Sequence, residues 1–138
     1  MNEDIRKGSI MLPHNTMVVV ADGHSATIFR NTAKYGLELS PTEHLTPNSL
    51  SNPATIAVND EASESEDQDE ADFAVKLTHR LNTMMLQNKL DDVAIIADPS
   101  TLGVMRKHYH KELQFRLRKE VAKTMTNSDI RTVETALN

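Results

Sequence analysis

Two apolar runs and one amphipathic stripe organise the chain. Thr16 to Ala21 is a β-branched apolar run, the pattern of a strand buried on both faces. Asp22-Gly23 follows as a turn dipeptide, with glycine supplying the positive φ of a tight reversal. Ser25 to Arg30 then alternates, Ala26 and Ile28 on one side and Thr27 and Phe29 on the other, so the two runs are expected to form a hairpin. Gly36 marks another reversal, and Leu37 to Leu45 reads as a third strand broken by Pro41. From Thr46 to Ala71 the pattern lapses into Pro, Asn and Ser and then into acids, which predicts a long mobile loop.

Helical period starts at Phe73, where Phe73, Leu77, Leu81 and Met84 share one face. Val93 to Ala97 is a second buried strand, bounded by Asp91-Asp92 and Asp98-Pro99. Ser100 is placed to cap a helix whose apolar positions are Leu102, Met105 and Tyr109. Residues 110–125 carry two readings. Leu113, Leu117, Val121 and Met125 repeat every four, as in a helix, whereas Val121, Thr124 and Thr126 favour a strand. Asn127 or Ser128 caps a last helix with Ile130, Val133 and Leu137 inward. The order β-β-β-loop-α-β-α-(α or β)-α predicts the α/β class. Its sheet is mixed, an N-terminal antiparallel meander with the 93–97 strand beside the first and helices flanking it. The expected organisation is a disordered tail over 1–10 and a single domain over 11–138, with the mobile acidic loop at about 46–71.

Composition adds what the pattern omits. A chain of 138 residues fits one domain, and 38% apolar residues suffice for one core. The absence of cysteine excludes disulfides, a thiol nucleophile and thiolate metal sites, and fits a cytoplasmic location. The longest apolar run, Met17 to Ala21, is too short to span a membrane, and Met1 to Ile10 lacks the apolar stretch of a secretory signal.

The net charge of −5 hides a segregation. Residues 60–72 hold eight acids and no base, and without them the chain has 15 bases against 12 acids. Residues 103–123 hold seven bases against Glu112 and Glu120. Charge so divided points to polyanionic partners for the basic stretch and to a protein partner for the acidic loop. Arg106, Lys107, Lys111, Arg116 and Arg118 are the candidate nucleic-acid contacts, with Tyr109 and Phe115 the only aromatics there that could stack on bases; the simpler reading of the stretch is a solvated helix face.

Catalytic signatures are absent. Asp22 and Asp98 each follow a buried strand, and if the two strands were neighbours their carboxylates could share a divalent metal, as in two-metal nucleases. The simpler reading gives Asp22 to a turn and Asp98 to a helix start. His108-Tyr109-His110 resembles a ligand pair, yet positions two apart on a helix do not face each other, and further ligands are missing. His24-Ser25 on a strand would point to opposite faces. No phosphate loop, nucleophile elbow or dinucleotide fingerprint occurs. No cofactor and no metal are therefore expected.

Several blocks together carry a resemblance. They are Leu12-Pro13-His14-Asn15-Thr16 running into Val18 to Gly23, then Ala26 to Thr32, Phe73 to Asn82, Ile95 to Gly103, Arg106-Lys107 and His110-Lys111-Glu112. In these the chain resembles the bacterial host attachment protein family, from about Leu12 to the C-terminus. That family is similar to the middle domain of archaeal and eukaryotic peptide-chain release factors. The resemblance implies a ribonuclease-H-like sheet and favours a strand near 118–125. It also implies RNA or the ribosome as partner, or alternatively a protein partner in attachment. In release factors the loop between the third strand and the first helix carries Gly-Gly-Gln, which promotes peptidyl-tRNA hydrolysis. Here the 46–71 segment holds no glycine, and its only glutamine, Gln68, sits among acids. Its charge would be repelled by ribosomal phosphate. The expectation is a non-enzymatic binding domain.

Overall fold

A computed structural model describes residues 12–50 and 66–137. The expected tail over 1–10 and most of the expected mobile loop lie outside them. The elements are β1 (Met17–Ala21), β2 (Ala26–Asn31), β3 (Leu39–Leu45), a single turn α1 (Pro47–Leu50), α2 (Glu66–Leu86), β4 (Val93–Ala97), α3 (Pro99–Arg106), α4 (Lys111–Arg116), β5 (Leu117–Ala122) and α5 (Ile130–Leu137). The fold is α/β, with the five strands in one mixed sheet ordered β3-β2-β1-β4-β5. β1–β2 and β2–β3 are antiparallel, and β4 lies parallel to β1 on one side and to β5 on the other.

β1 and β4 sit at the centre because both are apolar at every position, and all ten of their residues are buried. One sheet face packs Val19, Ile28, Val93 and Ile95 against Phe73, Leu77 and Leu81 of α2, Leu102 and Met105 of α3, and Leu113 of α4. The other packs Val18, Val20, Phe29 and Ile96 against Val133 and Leu137 of α5. Pro41 is tolerated because β3 is an edge strand. The β2–β3 register shifts between Ile28 and Phe29, and the Thr42 hydroxyl donates to the Ile28 carbonyl there.

Several local readings change. The first hairpin turns on a side chain: Asp22 Oδ1 accepts from the His24 and Ser25 amides at 2.7 and 2.9 Å. Gly36 (φ 88°), rather than Gly23, is the described glycine in the positive-φ region. α2 begins at Glu66, ahead of Phe73 where the helical period starts. Asp98, not Ser100, caps α3, and Tyr109 lies past that helix. Asp129 caps α5 through the Thr132 amide (2.9 Å), in place of Asn127 or Ser128, and Ile130 stays 37% exposed.

The ambiguous stretch splits. Residues 111–116 are helical and 117–122 form β5, so the four-residue repeat is not one helix. Leu113 belongs to the core on one face of the sheet, and Val121 and Met125 to the other. No helix among the described residues is long and apolar enough to cross a membrane.

Candidate nucleic-acid interface

The two strand-end aspartates come to the same edge of the sheet. Ala21 and Ala97 are register partners on adjacent parallel strands, so Asp22 and Asp98 leave the sheet side by side. Both are engaged locally. Beyond its two turn amides, Asp22 accepts from the Thr126 hydroxyl at 2.7 Å through Oδ2. Burial pushes this carboxyl up, but the Thr126 bond, the two amide bonds and nearby His24 outweigh it and hold it below the ordinary range. Asp98 Oδ2 accepts from the Thr101 amide at 3.1 Å, while its Oδ1 is buried with no hydrogen-bond partner. Among the described residues no group of three or more His, Asp or Glu side chains is arranged to hold a metal ion.

The five basic candidates lie along α3, α4 and β5. Arg106 ends α3 and donates through Nε and Nη2 to Glu120 Oε1 at 3.0 and 2.8 Å. Those bonds, with the charge of Glu120, raise its pKa further. Arg116 pairs one helical turn back with Glu112 (3.3 Å). Arg118 sits where the β4–β5 register shifts and donates to Asp92. Lys107 and Lys111 are exposed and form no ion pair among the described residues. The two aromatics part company. Burial and a 2.9 Å hydrogen bond to Glu120 Oε2 hold the Tyr109 phenol far above its usual range, with the ring packed against the core. Phe115 is 72% exposed.

The surface continues onto α2, which the residue pattern along the basic stretch did not reveal. Asn82 Nδ2 donates to the His108 carbonyl and Asn82 Oδ1 accepts from the His110 amide, both at 3.0 Å, so α2 holds the α3–α4 connection from both sides. The His79 and His108 rings meet edge to face, centroids 5.9 Å apart at 82°. His110 Nδ1 accepts from the Glu112 amide and caps α4. Along the outward side of α2 runs an open groove of about 480 Å³, lined by Lys76, His79, Arg80, Thr83, Gln87 and Lys89 among others, and by no carboxylate among the described residues. Arg80 reaches from it to Glu43 at 2.6 Å. The signal was the helical period itself, since apolar Phe73, Leu77 and Leu81 turn Lys76, Arg80 and Thr83 outward.

A family model, bacterial archaeo-eukaryotic release factor family 12, matches residues 15–137, which span every strand of the sheet and both sides of this surface. The chain belongs to that family. A comparison with curated proteins finds no match.

The connection from β3 to α2 contains no glycine, so the Gly-Gly-Gln of peptide-chain release factors does not occur in it. Gln68 falls within α2. What the described residues offer chemically is cationic and aromatic contact surface.

Proposed function

We propose that this release-factor-family domain is a non-enzymatic binding module that contacts RNA, free or on a ribosomal surface, through Arg106, Lys107, Lys111, Arg116 and Arg118. The observation that carries the reading is Phe115. An apolar ring 72% exposed to water, on a six-residue helix that also presents Lys111 and Arg116, is the pairing that single-stranded nucleic acid uses, a π-face for a base beside cations for the backbone. Lys107 and Lys111 supply charge and have no ion pair among the described residues to break. Arg116 exchanges the exposed Glu112 for phosphate, a small change because water screens that pair, whereas Arg106 and Arg118 keep their more covered partners Glu120 and Asp92 and meet phosphate through the remaining guanidinium N–H groups.

Equilibrium titration of labelled single-stranded RNA at several salt concentrations tests this. Affinity should fall with salt by about 0.7 log units per log unit for each phosphate contacted. Lys107→Gln with Lys111→Gln should reduce that slope and weaken all sequences alike. Phe115→Ala should weaken binding by about 1–3 kcal/mol without changing stability. Absence of binding at low salt would overturn the reading, and a ribonuclease-insensitive protein partner captured from lysate would replace it with a protein-interaction module, such as one acting in host attachment.

A further inference from the structure

The groove on α2 is not explained by the basic stretch, and its construction is specific. α2 ends in a Schellman closure. Asn88 takes the left-handed conformation (φ 62°), its amide donates to the Met85 carbonyl at 3.0 Å, and the Lys89 amide donates to Met84 at 2.8 Å. The Lys89 carbonyl accepts from Arg30 Nη2 at 2.7 Å. Lys89 is therefore fixed at both its backbone groups, and Leu90 behind it is buried. Across the groove Arg80 is oriented by Glu43. Thr83 and Gln87, one turn apart on the exposed side of α2, add a hydroxyl and an amide between these cations, and part-buried Met84 gives an apolar floor.

We infer that this groove is a phosphate-group site for a nucleotide-sized ligand. Arg80 and Lys89 supply the charge, Thr83 and Gln87 donate hydrogen bonds, and Met84 meets the sugar or base. The volume of about 480 Å³ lies within the roughly 300–1,000 Å³ of small-ligand sites. Cations with neutral donors, and no carboxylate among the described lining residues, favour an anion over a cation or an apolar ligand. A free mononucleotide and one nucleotide of an RNA strand present the same chemistry. Only the second source rests on the RNA reading above.

The test uses the full-length protein and amide NMR at constant ionic strength, with uridine monophosphate, uridine and a short oligouridylate as probes. Uridine monophosphate should give saturable shifts at Thr83, Gln87 and Lys89, and uridine should not. Lys89→Gln should weaken that binding by about tenfold or more, the scale of one charge-assisted hydrogen bond. Thr83→Val, which leaves the Schellman closure alone, should weaken it less, and Arg131→Gln on α5, which packs on the sheet face opposite α2, should leave it unchanged. Saturation by oligouridylate at the same amides assigns the ligand to RNA. Saturation by the mononucleotide alone keeps the site and removes RNA from it. Oligouridylate shifts confined to residues 106–118, with no mononucleotide response in the groove, would overturn this inference while leaving the RNA reading intact. Mononucleotide shifts unchanged by both Lys89→Gln and Thr83→Val would also overturn it, and would reduce Lys89 to a cation offsetting the end of the α2 dipole.

Discussion

Asn82→Ala separates the role of the α2 clamp from that of the cations it positions. The side chain makes two hydrogen bonds to the α3–α4 connection, both 3.0 Å. Each is worth about 0.5–1.5 kcal/mol net, and the lower half applies because His108 and His110 are exposed and water can replace the lost partner. The loss is then about 1–2 kcal/mol. Alanine returns roughly 0.5 kcal/mol through its better helix propensity. The expected net destabilisation is about 0.5–1.5 kcal/mol, a fall of a few degrees in Tm for a domain of this size. Urea denaturation should show a lower midpoint at unchanged slope, and hydrogen exchange should show the His110 amide losing protection. RNA affinity should fall as well, since Lys107 and Lys111 flank the released connection. Asn82→Asp sharpens the point by keeping the acceptor for the His110 amide and losing the donor to His108. An Asn82→Ala protein at least as stable as wild type, with His110 protection unchanged, would refute the clamp.

Three further outcomes follow from the same structure. Leu81→Ala removes a side chain with no exposure from the core under α2 and should cost about 2–5 kcal/mol, read by urea denaturation. The folded pKa of Asp22 lies below its ordinary 3.8, so its carboxylate stabilises the fold above that pH, and the contribution is lost as pH falls through the folded value. Asp22→Asn should therefore lose stability less steeply than wild type below about pH 4, and parallel acid-unfolding slopes would contradict the assignment. Incubated with magnesium or manganese, the protein should leave RNA and DNA intact; reproducible cleavage abolished by both Asp22→Asn and Asp98→Asn would establish a nuclease instead.

Much of the sheet was legible in the chain because its signals are local. Met17 to Ala21 and Val93 to Ala97 are apolar throughout, and only a strand covered on both faces hides every residue of such a run. Alternation from Ala26 to Phe29 set which side of the hairpin meets which core, and the spacing of Phe73, Leu77 and Leu81 set the inward face of α2. Tertiary structure decided the rest, where sequence neighbours take different surroundings. A repeat of four over Leu113, Leu117, Val121 and Met125 is consistent with one helix until the sheet divides them, Leu113 packing on one side and Val121 and Met125 on the other. The same holds for the surface. Arg106, Arg116 and Arg118 read alike in the chain, but only Arg116 finds its carboxylate within the same helix; Glu120 and Asp92 reach the other two because β5 lies beside β4. Tyr109 and Phe115 were equal candidates until packing buried one against the core and left the other in water. Periodicity records which side of an element is covered, whereas an ion pair, a clamp or a groove depends on which distant element does the covering.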